Sequence, residues 1–415
     1  MMLKKRYGLL LICLMVAAAS DTNAKTHTNQ SSRLFPILTY QGWGYINDTG
    51  HVVIKPQFRD VGPFFEERAC AVTTDGGKTG YIDETGKMVF ETPLYLCFAF
   101  DTEGFSEGLA AVKVPEKLGY LDKTGKSSTP PAHRSVIAAE KWGYLDKTGK
   151  VAIKLQFHSA ESFSEGLAAI TTNDTYKVGY IDKTGKIVIE PQFEAGWPFA
   201  EGLAKVKMTR KYGYIDKMGT VVIPPQFLEA RKFSEGLAAV TTDGLRWGYI
   251  DRAGHYVIDP QFGEARDFSE GLAAVVIGLS ATEYQEGLTA ELGAAELTKG
   301  LSTVVRKGTW GYLDKTGAVV ISPQFYSAKD FSEGLAIVSR TFPIGGTEIL
   351  TWKYGYIDRT GAVVLPPRFS HAEAFSGGLA YVSTPFLEFG CEVSRSGYVD
   401  KRGRYIWKSP FFIDC

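Results

Sequence analysis

The chain has only 5 cysteines and 6 histidines in 415 residues, no surplus charge of either sign, and no apolar run of 18 residues. Each shortage excludes something. Without a CxxC motif, or a His or Cys pair at metal-ligand spacing, no zinc site is expected. Because 46 Lys plus Arg balance 46 Asp plus Glu, no charge-driven affinity for nucleic acid or an anionic membrane is expected either. Without a long apolar run there is no candidate membrane-spanning helix. No P-loop occurs, and the one GxSxG string, Gly104-Phe105-Ser106-Glu107-Gly108, is a copy of the recurring FSEG block and not read as a nucleophile elbow. Glycine, by contrast, is abundant at 45 residues, well above the usual share of roughly 7%. With 44% apolar and 13% aromatic residues the chain can bury a large core, and so many glycines imply many tight turns between short strands. Composition therefore favours an all-β protein.

The N-terminus has the layout of a secretory signal peptide. Lys4, Lys5 and Arg6 are followed by an apolar run from Leu9 to Ala19 and then by small residues. That run is too short to cross a bilayer of about 30 Å as a helix. Cleavage is placed after Ala24, with Ala19 as the other site; a lipoprotein cysteine at Cys13 is disfavoured because Ile12 precedes it and the apolar run would be cut in half. The mature chain is then exported and has no transmembrane segment. Export brings the remaining thiols, Cys70, Cys97, Cys391 and Cys415, into an oxidising compartment where they tend to pair. Proximity in sequence favours Cys70 with Cys97 and Cys391 with Cys415, among three possible connectivities; free buried thiols are the alternative.

Self-similarity organises everything after that. Gly-Tyr, then Ile, Leu or Val, then Asp or Asn, recurs ten times, at Tyr45, Tyr81, Tyr120, Tyr144, Tyr180, Tyr214, Tyr249, Tyr312, Tyr356 and Tyr398. Within a unit the order is WGYIDKTGKVVI, then PQF, then FSEGLAAV. The DKTG block between two β-prone runs reads as a hairpin turn with glycine at a positive-φ position. The LAAV run then reads as a third strand, supplied to the hairpin that follows it. Leu34 to Tyr40 stands where LAAV would precede the first hairpin, and no FSEGLAAV follows the last. The expected fold is an all-β tandem array of about ten three-stranded antiparallel modules, either a propeller-like ring or an open superhelix. Because Val221-Val222-Ile223 is apolar at consecutive positions, both of its faces should be covered by neighbouring modules. Phe157, Phe163 and Trp142 are expected as core plugs.

The motifs Trp43-Gly44-Tyr45-Ile46, Trp142-Gly143-Tyr144-Leu145, Trp247-Gly248-Tyr249-Ile250 and Trp310-Gly311-Tyr312-Leu313, each with its PQF and FSEGLA blocks, resemble the WG repeat, also called the KWG repeat, of bacterial proteins. The resemblance covers about residues 40 to 407. Thr79, Leu118, Val178, Tyr212, Tyr354 and Ser396 replace the tryptophan in other units, and the Tyr120 unit loses PQF and most of FSEG. Residues 1–24 are thus assigned to the signal peptide and 25–41 to an N-terminal segment supplying the first strand. Regular repeats take 42–275 with an irregular joint at 126–141, an insertion takes 276–309, and C-terminal repeats with long connectors take 310–415. The resemblance implies a repeat scaffold of exported or surface proteins, with no common activity, cofactor or catalytic residue.

The repeated carboxylates argue against chemistry. Glu165, Glu201, Glu235, Glu270 and Glu333 share one slot, and Asp146, Asp182, Asp216, Asp251 and Asp314 another. A residue needed once for catalysis would not recur in every unit, so these read as turn and backbone partners. The DKTG turns offer too few oxygen ligands for calcium, and His27, His51, His133, His158, His255 and His371 form no metal-ligand pair. No enzyme and no cofactor are expected. Departures from the repeat are more informative. The junction between LAAV and the next Gly-Tyr carries 6 to 8 residues after Val72, Val112, Ile170, Val206 and Val240, but 35 after Val275, 16 after Val338 and 14 after Val382. Insertions confined to one loop class often mark a binding face.

In the longest insertion Tyr284, Leu288, Leu292 and Ala295 have helical spacing, with Ser280 or Thr282 as N-cap, so a short amphipathic helix is expected there, weakened by Gly287 and Gly293. The first reading is a non-catalytic exported scaffold, periplasmic, cell-surface or secreted. It would bind another cell-envelope protein through Ile277 to Thr309, Ser339 to Tyr354 and Ser383 to Ser396, with Tyr284, Leu288 and Leu292 among the contacts. The second is a carbohydrate or cell-wall glycan binder, with or without hydrolysis, that stacks sugars on Trp352, Phe386 and Phe389.

Overall fold

The computed structural model describes residues 33–75, 77–92, 104–115, 140–172, 174–277, 310–343, 350–388 and 391–413. Among these residues all regular structure is β, in eight antiparallel sheets that stand in a propeller ring: one of six strands, six of four and one of three. The repeating unit is a meander. In a typical copy Leu167–Thr171 pairs with Val178–Asp182, which pairs with Ile187–Phe193; the two-residue strand Ser159–Ala160 closes the other edge of the sheet.

Nine such meanders are present among the described residues, not about ten, and the six-stranded sheet holds two of them. Its strand Val52–Val61 pairs through its first half with Gly42–Ile46 and through its last with Ala69–Thr73. The tenth Gly-Tyr, at Tyr120, lies outside the described residues. Its expected LAAV partner goes elsewhere: Leu109–Pro115 pairs directly with Glu140–Asp146, placing Ala111 opposite Tyr144. Residues 116–139, between these two strands, lie outside the described residues. The helix expected around Tyr284 to Ala295 also lies outside the described residues.

Alternation along each strand explains the core. Ala168, Ile170 and Ile181 pack back onto Trp142, Tyr144, Ile153 and Phe157 of the preceding meander. Leu167, Ala169 and Tyr180 pack forward against Phe199, Ala204, Val206 and Ile215 of the next. Both faces of the LAAV and GYI strands are thus buried by neighbours, and residues as small as alanine suit a strand wedged between two sheets.

The VVI strand departs from expectation. Val221 and Val222 are 42% and 39% exposed and only Ile223 is buried, at 1%. This strand is the solvent edge of its sheet, where only one side chain in three reaches the interface. An apolar edge strand invites pairing with another chain, and here Pro191, Pro225, Pro260, Pro323 and Pro367 remove an N–H from it in successive units.

One tyrosine ties each meander to the next. Tyr144 donates to Glu161 O, Tyr180 to Trp197 O, Tyr214 to Arg231 O, Tyr249 to Arg266 O, Tyr312 to Lys329 O and Tyr356 to Glu373 O, at 2.7–2.9 Å and always 17 residues on. Each ring also meets the phenylalanine two residues beyond that carbonyl, as Tyr214 meets Phe233 with centroids 4.8 Å apart. Burial pushes these phenols well above their ordinary pKa, so they remain donors.

At the end of the chain the same contact closes the ring. Tyr398 packs edge-on against Phe35 at 5.3 Å and donates to Pro36 O at 3.1 Å. Tyr40 donates to Pro410 O at 3.0 Å. Phe35, Ile37 and Ile46 share a cluster with Leu379, Tyr398 and Trp407.

The glycine before each tyrosine is set by close approach. The VVI strand bulges opposite it, and a Cβ at Gly213 would stand 2.5 Å from Ile223 O. Tyr214→Phe, which leaves the Arg231 carbonyl unpaired, is expected to cost about 1–2 kcal/mol, and Gly213→Ala is expected to cost more. Urea unfolding midpoints check both; an unchanged midpoint for Tyr214→Phe would show that the tyrosine bond carries no stability.

Candidate functional site

The meander gives the ring two unlike faces. Each LAAV strand starts from the SEGL turn and each GYI strand ends at the DKTG turn, so these turns share one face. The connectors between LAAV and GYI lie on the other.

The turn face is occupied by its own hydrogen bonds. Ser164 and Leu167 exchange backbone bonds across Glu165 and Gly166, both at positive φ, 55° and 89°. That geometry is costly for glutamate, and the side chain shows what offsets it. Glu165 accepts from Gly202 N–H of the next turn at 3.0 Å and pairs with Lys217 at 3.1 Å. Gly166 N–H in turn bonds Glu107, which pairs with Lys183 at 2.9 Å. Gly236 N–H bonds Glu201, Gly271 N–H bonds Glu235, Gly334 N–H bonds Glu270 and Gly378 N–H bonds Glu333. Ser164 and Ser234 add bonds to Phe199 O and Phe268 O of the next unit.

Asp146, Asp182 and Asp314 accept from backbone N–H groups two and four residues on, within their own turns. The Thr184 hydroxyl, with two backbone donors, holds Asp182 below its ordinary pKa. Burial works against Glu107, but Lys183 and backbone donors outweigh it and leave it lowered as well. The repeated carboxylates are thus committed to turns and to the clasp between units. Among the described residues no group of three or more His, Cys, Asp and Glu could hold a metal ion, and no helix is long and apolar enough to cross a membrane.

The connector face varies from unit to unit. Most ladders there stop after four or five pairs, whereas two run on as long hairpins: Leu335–Pro343 with Leu350–Asp358, and Leu379–Glu388 with Cys391–Asp400. Trp352 stands opposite Thr341 in the first and Phe386 opposite Val393 in the second; the surroundings of these two aromatic side chains lie outside the described ones. Phe389, Tyr284, Leu288 and Leu292 lie outside the described residues altogether.

Leu109–Pro115 with Glu140–Asp146 is a third extended ladder, so long connectors are not confined to the C-terminal units. Cys70 is buried and disulfide-bonded; the side chains of Cys97, Cys391 and Cys415 are not among those described.

One meander carries residues that the repeat reading passed over. Among the described residues the slot opposite the repeat tyrosine holds Pro36, Cys70, Ala111, Ala169, Ala239, Ala274, Ile337 or Tyr381, and only in the Tyr214 unit a charge, Lys205. Its ammonium lies 4.2 Å from the ring centre of Trp197 and 5.2 Å from that of Tyr212, and donates to Ala230 O at 2.8 Å. Burial pushes its pKa down to about 8, against the pull of Glu229. Aligning the units on their tyrosines would have exposed it.

A family described as "WG containing repeat" matches at residues 43–76, 142–176, 179–212, 212–245, 247–278, 310–340 and 354–384. These segments make up more than half of the chain, and the chain belongs to that family. No curated protein matches the sequence. Two solved structures are distantly similar. Prolyl oligopeptidase B from Galerina marginata, bound to a 25mer macrocyclization substrate, shares 8% identity over 88% of this chain and 54% of its own, with a TM-score of 0.31. The Pyrococcus horikoshii acylaminoacyl peptidase shares 11% over 88% and 57%, with a TM-score of 0.27. The chain thus spans little more than half the length of either, and the likeness is too weak to bear on function.

Folding lowers the pKa of Glu107, Asp182 and Asp314. Their contribution is complete above the unfolded values, near 4, and is lost as pH falls through those values toward the lower folded ones. Melting temperature is expected to change little between about pH 6 and 8 on their account and to fall below about pH 4.5. A melting temperature that rises on acidification would contradict this assignment.

Proposed function

We propose that this WG-repeat ring is an exported, non-catalytic scaffold that binds another protein of the cell envelope through its connector face. The observation that supports this reading most is the extension of the Leu335–Pro343/Leu350–Asp358 and Leu379–Glu388/Cys391–Asp400 hairpins beyond the ladder of an ordinary unit. The fold does not need that extra length: Leu167–Thr171 joins Val178–Asp182 through a short connector and buries its core equally well. Strand lengthening on one face alone creates surface without adding to the interfaces between units.

The repeated carboxylates, bound within turns and clasps, support a non-catalytic reading. The basic and apolar start of the chain and the disulfide at Cys70 support export to an oxidising compartment.

The test is affinity capture from a cell-envelope extract, using the chain from Lys25 onward beside a variant in which the connectors 277–309, 339–354 and 383–396 are cut to about seven residues. A circular dichroism melt must show that both fold. The proposal expects one protein to be retained by the first and lost by the second. Equal capture would move binding to the repeat surface, and retention of cell-wall glycan in place of protein would favour sugar stacking on the hairpin aromatics.

A further inference from the structure

The two neighbouring units with long hairpins end differently. In the last unit Cys391–Asp400 is covered on its far side by Tyr405–Ile413, which runs straight on: Phe412 stands opposite Arg395 and Ile413 opposite Ser394. In the unit before it, Val363–Phe369 covers Leu350–Asp358 only as far as Phe369, which stands opposite Tyr354. The chain then turns away to supply His371–Ala372 to the next sheet. Counted from the repeat tyrosines Tyr356 and Tyr398, Lys353 and Trp352 hold the positions of Arg395 and Ser394. Among the described residues no strand pairs with residues 350–353 on that side.

This edge is competent to pair. Leu350 and Trp352 are in phase with Tyr354 and Tyr356, whose partners on that side are Phe369 and Leu365, and no register shift interrupts the ladder with Leu335–Pro343. Their N–H and C=O groups therefore point to the open side. Proline, which removes an N–H from the solvent edge in successive units, is absent from residues 350–353. The opposite edges of the two long hairpins, formed by Leu335–Pro343 and Leu379–Glu388, carry Pro343 and Pro385. Charge selects the occupant. Arg340 and Lys353 stand directly opposite each other, which disfavours the hairpin taken by itself. Arg340 is exposed, donates to Gln324 Oε1 at 2.9 Å and lies over the Phe325 ring. The matching pair of the last unit, Thr384 with Arg395, has one cation in place of two, and the residue that covers it there is the uncharged Phe412.

We propose that residues 350–353 accept an extended acidic segment of a partner protein as an added antiparallel strand, in the place that Phe412 and Ile413 take in the last unit. Backbone hydrogen bonds to Leu350 and Trp352 hold the strand, and a carboxylate beside Lys353 and Arg340 sets its register. The inference rests on the reading of the connector face as a protein-binding surface, and names the mode and the chemistry of that binding.

The probe is a fluorescent peptide, Thr-Val-Glu-Val-Glu-Val-Thr, beside a counterpart with lysine at both glutamates, read by fluorescence anisotropy and by hydrogen exchange with mass spectrometry. The acidic peptide should bind at least about 10-fold more tightly than the basic one and weaken as salt rises. It should slow exchange across residues 350–353 and leave Ile187–Phe193, an ordinary solvent edge, unchanged. Leu350→Pro removes an outward N–H and should weaken binding at least about 10-fold, while Leu350→Ala stays within about 2-fold of the wild type. The comparison of the two peptides on the wild-type protein stands even if Leu350→Pro folds poorly. No binding by the acidic peptide, equal binding of both, protection elsewhere, or full affinity in a folded Leu350→Pro would overturn the proposal. A dimer that Leu350→Pro dissolves would overturn it too, by assigning the edge to a second copy of the chain. If connector trimming abolishes capture of a protein that Leu350→Pro still retains, the edge inference fails and the scaffold reading stands; capture indifferent to trimming would sink the scaffold reading itself.

Discussion

The hydrogen bond from the repeat tyrosine to a backbone carbonyl 17 residues on is the interaction on which the rest of the ring depends. Its phenol crosses from one meander into the chain segment that leads to the next, where the carbonyl would otherwise be buried without a donor. Because the ring packs at the same time on a phenylalanine two residues further on, a single side chain fixes both the distance and the tilt of the following sheet. The neighbouring residues of the motif serve that placement. Gly213 lets the bulged strand come within reach of its backbone, Ile223 fills the space beside the next turn, and Glu165 reaches across to the Gly202 amide. The glutamate clasp sits on the turn face and the tyrosine bond within the interface, so successive units are held at two separate levels.

Closure follows from the same contact. Tyr398 donates across the ring to Pro36 O, in the first strand, and packs there beside Phe35. An N-terminal strand with no FSEG block before it and a last unit with none after it are thus complementary halves of one interface. Joining the chain ends this way leaves no bare sheet face at either end of the array, as an open stack of half-buried meanders would.

Much of this was legible in the sequence, and what was not has identifiable physical causes. The hairpin at DKTG, the third strand at LAAV and the structural role of the repeated carboxylates could be read because each depends on local turn chemistry or on period-two alternation within one unit. The choice between ring and open array could not, since closure rests on Phe35 meeting Tyr398 across the whole chain. The Tyr120 motif marks no meander among the described residues, because the strand Leu109–Pro115 pairs past it with Glu140–Asp146, and pairing partners are not encoded in a motif. The exposure of Val221 and Val222 is not legible because an apolar run does not distinguish a strand covered on both faces from an edge strand protected by proline. Lys205 departs from the repeat by substitution at constant length, which leaves no mark on the spacing of the units.

Within the ring, variation is concentrated away from the clasps. The turn face is similar from unit to unit, while the connector face carries the long hairpins and one meander places a lysine between two aromatic rings. Both features depend on a closed frame that holds each unit at a defined angle to its neighbours, and closure is the claim most open to direct measurement. Spin labels at Gln41 and Ser409, on the two chain ends that meet beside Tyr40 and Pro410, should give one short, narrow distance distribution by pulsed electron paramagnetic resonance. A broad distribution, or one centred at the separation of an open array, would contradict the ring.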